Sequence, residues 1–119
     1  IQSAAADCDS ARAAIMSRDF EALAEVAEHS CLKLHGLAMT SRPPLIYWNP
    51  ATLACIEAVR ALHRGGVPVF FTIDAGPQLK AVCLPSAEHA VRDALANTKG
   101  VKTTFVSGLG AGARMVTGR

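Results

Sequence analysis

The chain has 119 residues, 50% of them hydrophobic, which suits one domain with a single modest core and excludes two independent ones. Charged side chains make up 18%, and 12 basic against 10 acidic residues leave a formal charge of +2 spread without a block, so neither nucleic-acid nor polybasic membrane binding is expected. No uncharged apolar run approaches the roughly 18 residues of a spanning helix, and the first residues lack the regions of a signal peptide, so a cytoplasmic protein is expected.

The chain opens Ile1-Gln2-Ser3-Ala4 without an initiator Met and inside a helical pattern, which suggests a fragment whose upstream part holds half of any active site. Residues 3–16 are rich in alanine and favour helix. Ser17 is placed to cap a second helix, with Asp19 and Glu21 in its first turn. Phe20, Leu23, Ala24, Ala27, Cys31, Leu34 and Ala38 then recur in steps of three and four, one apolar stripe of a long helix, with Glu21, Glu25, Glu28 and His29 on the wetter side. Ser41, Pro43 and Pro44 break it, and residues 45–48 predict a short strand. Asn49-Pro50 predicts a helix start, Cys55, Ile56, Val59 and Leu62 its apolar face, and Arg64-Gly65-Gly66 its end. Residues 67–73 and 79–84 predict a hairpin joined by a turn over 74–78. A helix over 87–96 and a last strand over 101–106 follow.

Strand-helix-strand-strand-helix-strand is the ferredoxin-like order. The expected class is therefore α+β, an antiparallel sheet with helices on one face and two added N-terminal helices. Cys8, Cys31, Cys55 and Cys83 have no metal-ligand spacing and are expected as free, buried thiols, with no metal site.

Asp74 stands at the end of a strand before Ala75-Gly76-Pro77, where a turn can project a carboxylate from a rigid edge. Taken alone, the same residues also describe an ordinary hairpin turn, with Gly76 supplying a positive φ. Gly108-Leu109-Gly110-Ala111-Gly112 could offer backbone N–H groups to a phosphate, but it departs from G-x-G-x-x-G and too few residues follow for a helix, so a terminal loop is the better reading. His35 fits a partly buried, hydrogen-bonded histidine beside the apolar stripe; His29, six residues away, cannot pair with it on a metal. His63 and His89 show no tie to a nucleophile, Ser107 lacks the first glycine of G-x-S-x-G, and Tyr47 and Trp48 suit packing rather than base stacking.

The whole order of features resembles the C-terminal domain of the diphosphomevalonate decarboxylase family, within the galactokinase, homoserine kinase, mevalonate kinase and phosphomevalonate kinase (GHMP kinase) superfamily. The residues that carry it are Arg18-Asp19-Phe20, Leu34-His35, the stretch 43–47 with its Pro-Pro turn and Tyr47, and Asp74-Ala75-Gly76-Pro77. Gln78 stands where the family usually has Asn, and Leu34 where many relatives have Met. The resemblance implies one C-terminal domain over residues 1–119, with an N-terminal ATP-binding domain outside the chain. It implies ATP-dependent conversion of mevalonate 5-diphosphate to isopentenyl diphosphate, ADP, phosphate and CO2. Asp74 would be the catalytic residue and Ala75 and Gly76 would meet substrate. ATP and Mg2+ are implied as cofactors held mainly by the absent domain, and a homodimer as the assembly. A mevalonate 5-phosphate decarboxylase, a related mevalonate kinase, or a non-catalytic ferredoxin-like binding module are the alternatives.

Overall fold

A computed structural model describes residues 2–116. Alanine loses no side-chain entropy on folding, and the alanine-rich start forms α1, Gln2–Ser17. It ends at Arg18, whose φ of 57° is left-handed. There the Arg18 N–H donates to the Ile15 carbonyl at 3.1 Å and the Asp19 N–H to the Ala14 carbonyl at 2.9 Å, the paired bonds of a Schellman ending. Ser17, expected as a cap, instead closes the first helix, its hydroxyl donating back to the Ala13 carbonyl at 2.9 Å. Asp19 takes the capping role, accepting from the Ala22 N–H at 3.0 Å at the head of α2, Phe20–Thr40.

The buried residues of α2 are Ala24, Cys31 and His35, whereas Leu34 is 54% exposed. The expected stripe therefore holds at Ala24 and Cys31 and fails at Leu34, where the adjacent histidine takes the inward place assigned to leucine. The start predicted at Asn49-Pro50 is found. Asn49 caps α3, Pro50–Arg64, in a reciprocal box with Thr52, and Gly66 beyond its end has a φ of 84°. Cys55, Ile56 and Val59 face inward as expected.

The hairpin also forms, as β1, Val69–Thr72, and β2, Lys80–Cys83, antiparallel with Phe70 opposite Val82 and Thr72 opposite Lys80. Phe71, Val69 and Ile73 are almost wholly buried against Val59 and Ile56 of α3, and Ala87 and Val91 close the core. A single 3-10 turn, Pro85–Ala87, leads into α4, Glu88–Ala96, which packs on α3 and β2. Gly100, with a φ of 92°, lets the chain pass Ala51, because a Cβ there would lie 2.9 Å from the Ala51 Cβ.

The α+β class therefore holds, with four helices and a two-stranded antiparallel sheet among the described residues. The two outer strands of the ferredoxin-like expectation do not form among the described residues. Residues 45–48 form no strand: the Tyr47 and Trp48 rings turn to His35, and the Leu45 N–H donates to the Ala38 carbonyl at 2.9 Å. Nor does the edge of β1 away from β2 stand open to them. Glu28, Cys31 and His35, one face of α2 at steps of three and four, reach it with their side chains: Glu28 accepts from the Phe71 N–H at 3.3 Å, and Cys31 and His35 bond Ile73. An edge strand whose polar groups are met by side chains offers no ladder to a neighbour. Glu28, placed on the wetter side by its charge, is in fact half-buried there. Residues 101–106 form no strand, and Phe105 is 91% exposed. No helix among the described residues is long and apolar enough to cross a membrane.

Candidate active site

Asp74 is the first residue past the end of β1's buried run, and its position follows from that burial. Ile73, 1% exposed, anchors the chain in the core, and the next side chain emerges at the surface. The Asp74 carboxylate is 80% exposed and makes an ion pair with Lys80, the first residue of β2. Its partner thus lies across the same hairpin, in place of the backbone bonds of a capping aspartate. Lys80 was not singled out by sequence reasoning, although hairpin register would have found it: it pairs with Thr72, two residues before Asp74.

The loop is held from beneath at both ends. At the front, the Ile73 carbonyl accepts from His35 Nε2 at 3.2 Å and from the Cys31 thiol at 3.5 Å, while the Ile73 N–H donates to Cys31 Sγ at 3.3 Å. Because a carbonyl only accepts, Nε2 of His35 carries the proton. At the back, the Thr52 hydroxyl donates to the Pro77 carbonyl at 2.8 Å. Between them Ala75 is exposed, and Gly76 takes a φ of 92° with its α-carbon face close to Ile73. A Cβ on Gly76 would stand 3.1 Å from the Ile73 Cγ2 and 3.6 Å from the Tyr47 Cβ, so both the space and the dihedral call for glycine.

His35 is 2% exposed, its ring 4.8 Å from that of Trp48 and edge-on to Tyr47 at 6.1 Å. The packing role expected of both aromatics is the one they have. Trp48 Nε1 is buried without a hydrogen-bond partner. The other candidates lie elsewhere. His63 serves the opposite end of β1, its Nδ1 3.0 Å from the Val69 carbonyl and its Nε2 3.4 Å from Glu21. His89 pairs with Asp93 one helical turn on, at 3.1 Å, a spacing that was visible in the sequence. His29, Ser107 and the glycines 108–112 are exposed, and no helix follows those glycines among the described residues. An open cleft between α2 and α3, lined by Glu21, Glu25, Glu28, Arg60 and Arg64 among others, carries both signs of charge. It lies at the His63 end of β1 rather than beside Asp74.

All four cysteines are free; Cys31 and Cys55 are buried as expected, Cys83 is half-buried, and Cys8, against expectation, is exposed on α1. Burial pushes the Cys31 thiol up from its ordinary value, with the Ile73 hydrogen bond opposing and the Glu28 and Asp74 charges adding. Burial likewise raises Cys55 and Cys83. A group raised in the folded state holds its proton where the unfolded chain has lost it. The thiols' contribution to stability is therefore full below the ordinary thiol value, about 8.5, and falls as pH rises through the higher folded values. The urea midpoint should accordingly drop between pH 7.5 and 9.5, and Cys31→Ala should flatten that drop; a midpoint rising with pH would contradict the assignment.

Residues 4–107 match the family model described as the mevalonate 5-diphosphate decarboxylase C-terminal domain. The chain is 36% identical over 112 residues to the phosphomevalonate decarboxylase of Haloferax volcanii, covering 93% of this chain and 34% of that protein. A solved structure concerned with the mevalonate-diphosphate-mediated ATP binding mechanism of the mevalonate diphosphate decarboxylase from Enterococcus faecalis superposes with a TM-score of 0.73 at 32% identity, over 79% of this chain and 30% of the other. A solved complex of MDDEF with MVAPP, AMPPCP and magnesium gives the same TM-score, 0.73, and the same 32% identity, over 79% of this chain and 29% of the other. The chain thus spans about a third of the length of these proteins.

Proposed function

The chain belongs to the mevalonate 5-diphosphate decarboxylase C-terminal domain family, and from that premise we propose that it supplies the Asp74 half of an ATP-dependent decarboxylase. The proposed reaction converts mevalonate 5-diphosphate to isopentenyl diphosphate, ADP, phosphate and CO2, in the cytoplasm, by a protein that assembles as a homodimer. The observation that carries the reading is the mounting of Asp74: an exposed carboxylate, paired with Lys80 across the hairpin, on a loop fixed to a buried core.

A tertiary hydroxyl is a poor nucleophile, so a carboxylate within hydrogen-bond reach of its proton has a clear task, either taking the proton or aiming the oxygen. Lys80 is a cation already beside that carboxylate. Ala75 and Gly76 present backbone next to it, where substrate would lie. The residues of this chain do not suit the holding of ATP or Mg2+. No group of three or more His, Cys, Asp or Glu among the described residues could hold a metal ion, and nothing in the sequence matches the superfamily's Pro-x-x-x-Gly-Leu-x-Ser-Ser phosphate loop. In this reading those ligands are held by an upstream domain, and Asp74 faces it across an interface.

A second reading has its own support. The Haloferax volcanii relative, matched over 93% of this chain, is a phosphomevalonate decarboxylase, which favours mevalonate 5-phosphate as substrate. Assay of the complete protein for ATP-dependent CO2 release separates the two. The expected result is a higher kcat/KM with mevalonate 5-diphosphate; a preference for the monophosphate selects the second reading, and phosphorylation without CO2 a kinase. No turnover of either would leave a non-catalytic binding module.

A further inference from the structure

We propose that Cys31, His35 and Thr52 are positioning residues for Asp74, acting together as a clamp that fixes the loop from both helices. The inference rests on the catalytic reading of Asp74 and adds the residues through which that reading works. Three polar side chains, 5%, 2% and 3% exposed respectively, bond the carbonyls that bracket the loop, Thr52 doing so while it also accepts from the Asn49 N–H in the α3 cap. Cys31 and His35, one turn apart on α2, hold Ile73, whose carbonyl carbon is bonded to the Asp74 nitrogen. Thr52, in the first turn of α3, holds the Pro77 carbonyl. Only residues 74–76 lie between the two anchored carbonyls, so the direction of the Asp74 Cα–Cβ bond is set by two helices rather than by the hairpin alone.

Apolar side chains of the same shape in these places would leave the Ile73 N–H and the Ile73 and Pro77 carbonyls without these partners, so the three polar groups serve the backbone at the loop's two ends. Their use on one loop is what positioning requires, since a displacement of about 1 Å at a reacting group can cost about 100-fold in rate. The clamp also explains the contrast at the site: Asp74 is 80% exposed on its side chain, yet the residue before it is 1% exposed.

The test uses the complete protein, with kcat, KM and melting temperature measured for paired variants. Thr52→Val and Cys31→Ala remove the donors with little change of shape and should lower kcat by about tenfold or more at nearly constant KM. Thr52→Ser and Cys31→Ser keep a donor and should stay within about twofold of the parent kcat. Asn49→Ala is the structural control, because it removes the helix cap yet leaves the Thr52 bond to Pro77: it should lower the melting temperature and spare kcat. If Thr52→Val does not fold, the Cys31 pair carries the same comparison, and His35→Gln against His35→Leu repeats it at the third position. The proposal is overturned if the apolar variants keep the parent kcat, if the serine variants lose as much as the apolar ones, or if Asn49→Ala loses kcat equally. Asp74→Asn in the same series keeps the two readings apart: turnover retained there removes Asp74 itself, whereas turnover lost there with an indifferent clamp removes only the clamp.

Discussion

Asp74→Asn in the complete protein should lower ATP-dependent CO2 release by about 10²–10⁴-fold, the range for loss of a general base, while the melting temperature hardly moves. The asymmetry follows from where the side chain sits. Asparagine has nearly the shape of aspartate, and at 80% exposure nothing packs on it that the change could disturb. The interaction lost is an ion pair with Lys80, itself 56% exposed; pairs so exposed to water are worth about 0–1 kcal/mol. The turn does not depend on the carboxylate either, being held by Ile73 and Pro77. A large loss of turnover with unchanged melting therefore isolates the chemistry of the carboxylate, and turnover at the parent rate would remove Asp74 from the mechanism.

Local chemistry made part of this arrangement readable before any coordinates. Asn49-Pro50 announces a helix start because the side chain and the missing N–H act within three residues, and the structure has the cap and the reciprocal box. Gly76 is needed for its own dihedral, and the hairpin is declared by the β-branched and aromatic run 67–73, a tight turn and a second apolar run over 79–84. The features that escaped depend on distant partners or on competition between adjacent signals. Ser17 and Asp19 both have capping chemistry, and the left-handed turn at Arg18 decides for Asp19. Leu34 and His35 are neighbours on α2, and the polar edge of β1 draws the histidine inward and leaves the leucine at 54% exposure. That edge lies 38 residues away along the chain, and the Thr52 bond to Pro77 spans 25; no window of local pattern contains either. The outer strands at 45–48 and 101–106 were read from β-propensity, which describes fit to a pleated surface and not the existence of a partner edge. Side chains of α2 had already taken one such edge.

The 119 residues alone should show no ATP-dependent decarboxylation, even when circular dichroism shows them folded. The argument starts from what a nucleotide needs. Triphosphate binding is built from several backbone N–H groups converging on the phosphates, commonly at a helix N-terminus, with cations at the developing charge. The one glycine-rich stretch of this chain, residues 108–112, has exposed residues, and Cβ atoms added at Gly108, Gly110 or Gly112 would meet nothing within 4 Å. It is therefore not folded around a concavity that a phosphate could enter. The α2–α3 cleft brings Glu21, Glu25 and Glu28 toward any anion placed there, which opposes phosphate in spite of Arg60 and Arg64. What the chain does offer is one oriented carboxylate, and a carboxylate alone supplies neither the phosphoryl donor nor the electrostatic stabilisation of its transfer. Addition of the upstream segment of the same protein, as a separate chain or in the intact protein, should restore CO2 release. Release at a comparable rate by the 119 residues themselves would mean that the phosphate site lies within this fold after all, and the division of labour proposed for Asp74 would have to be abandoned.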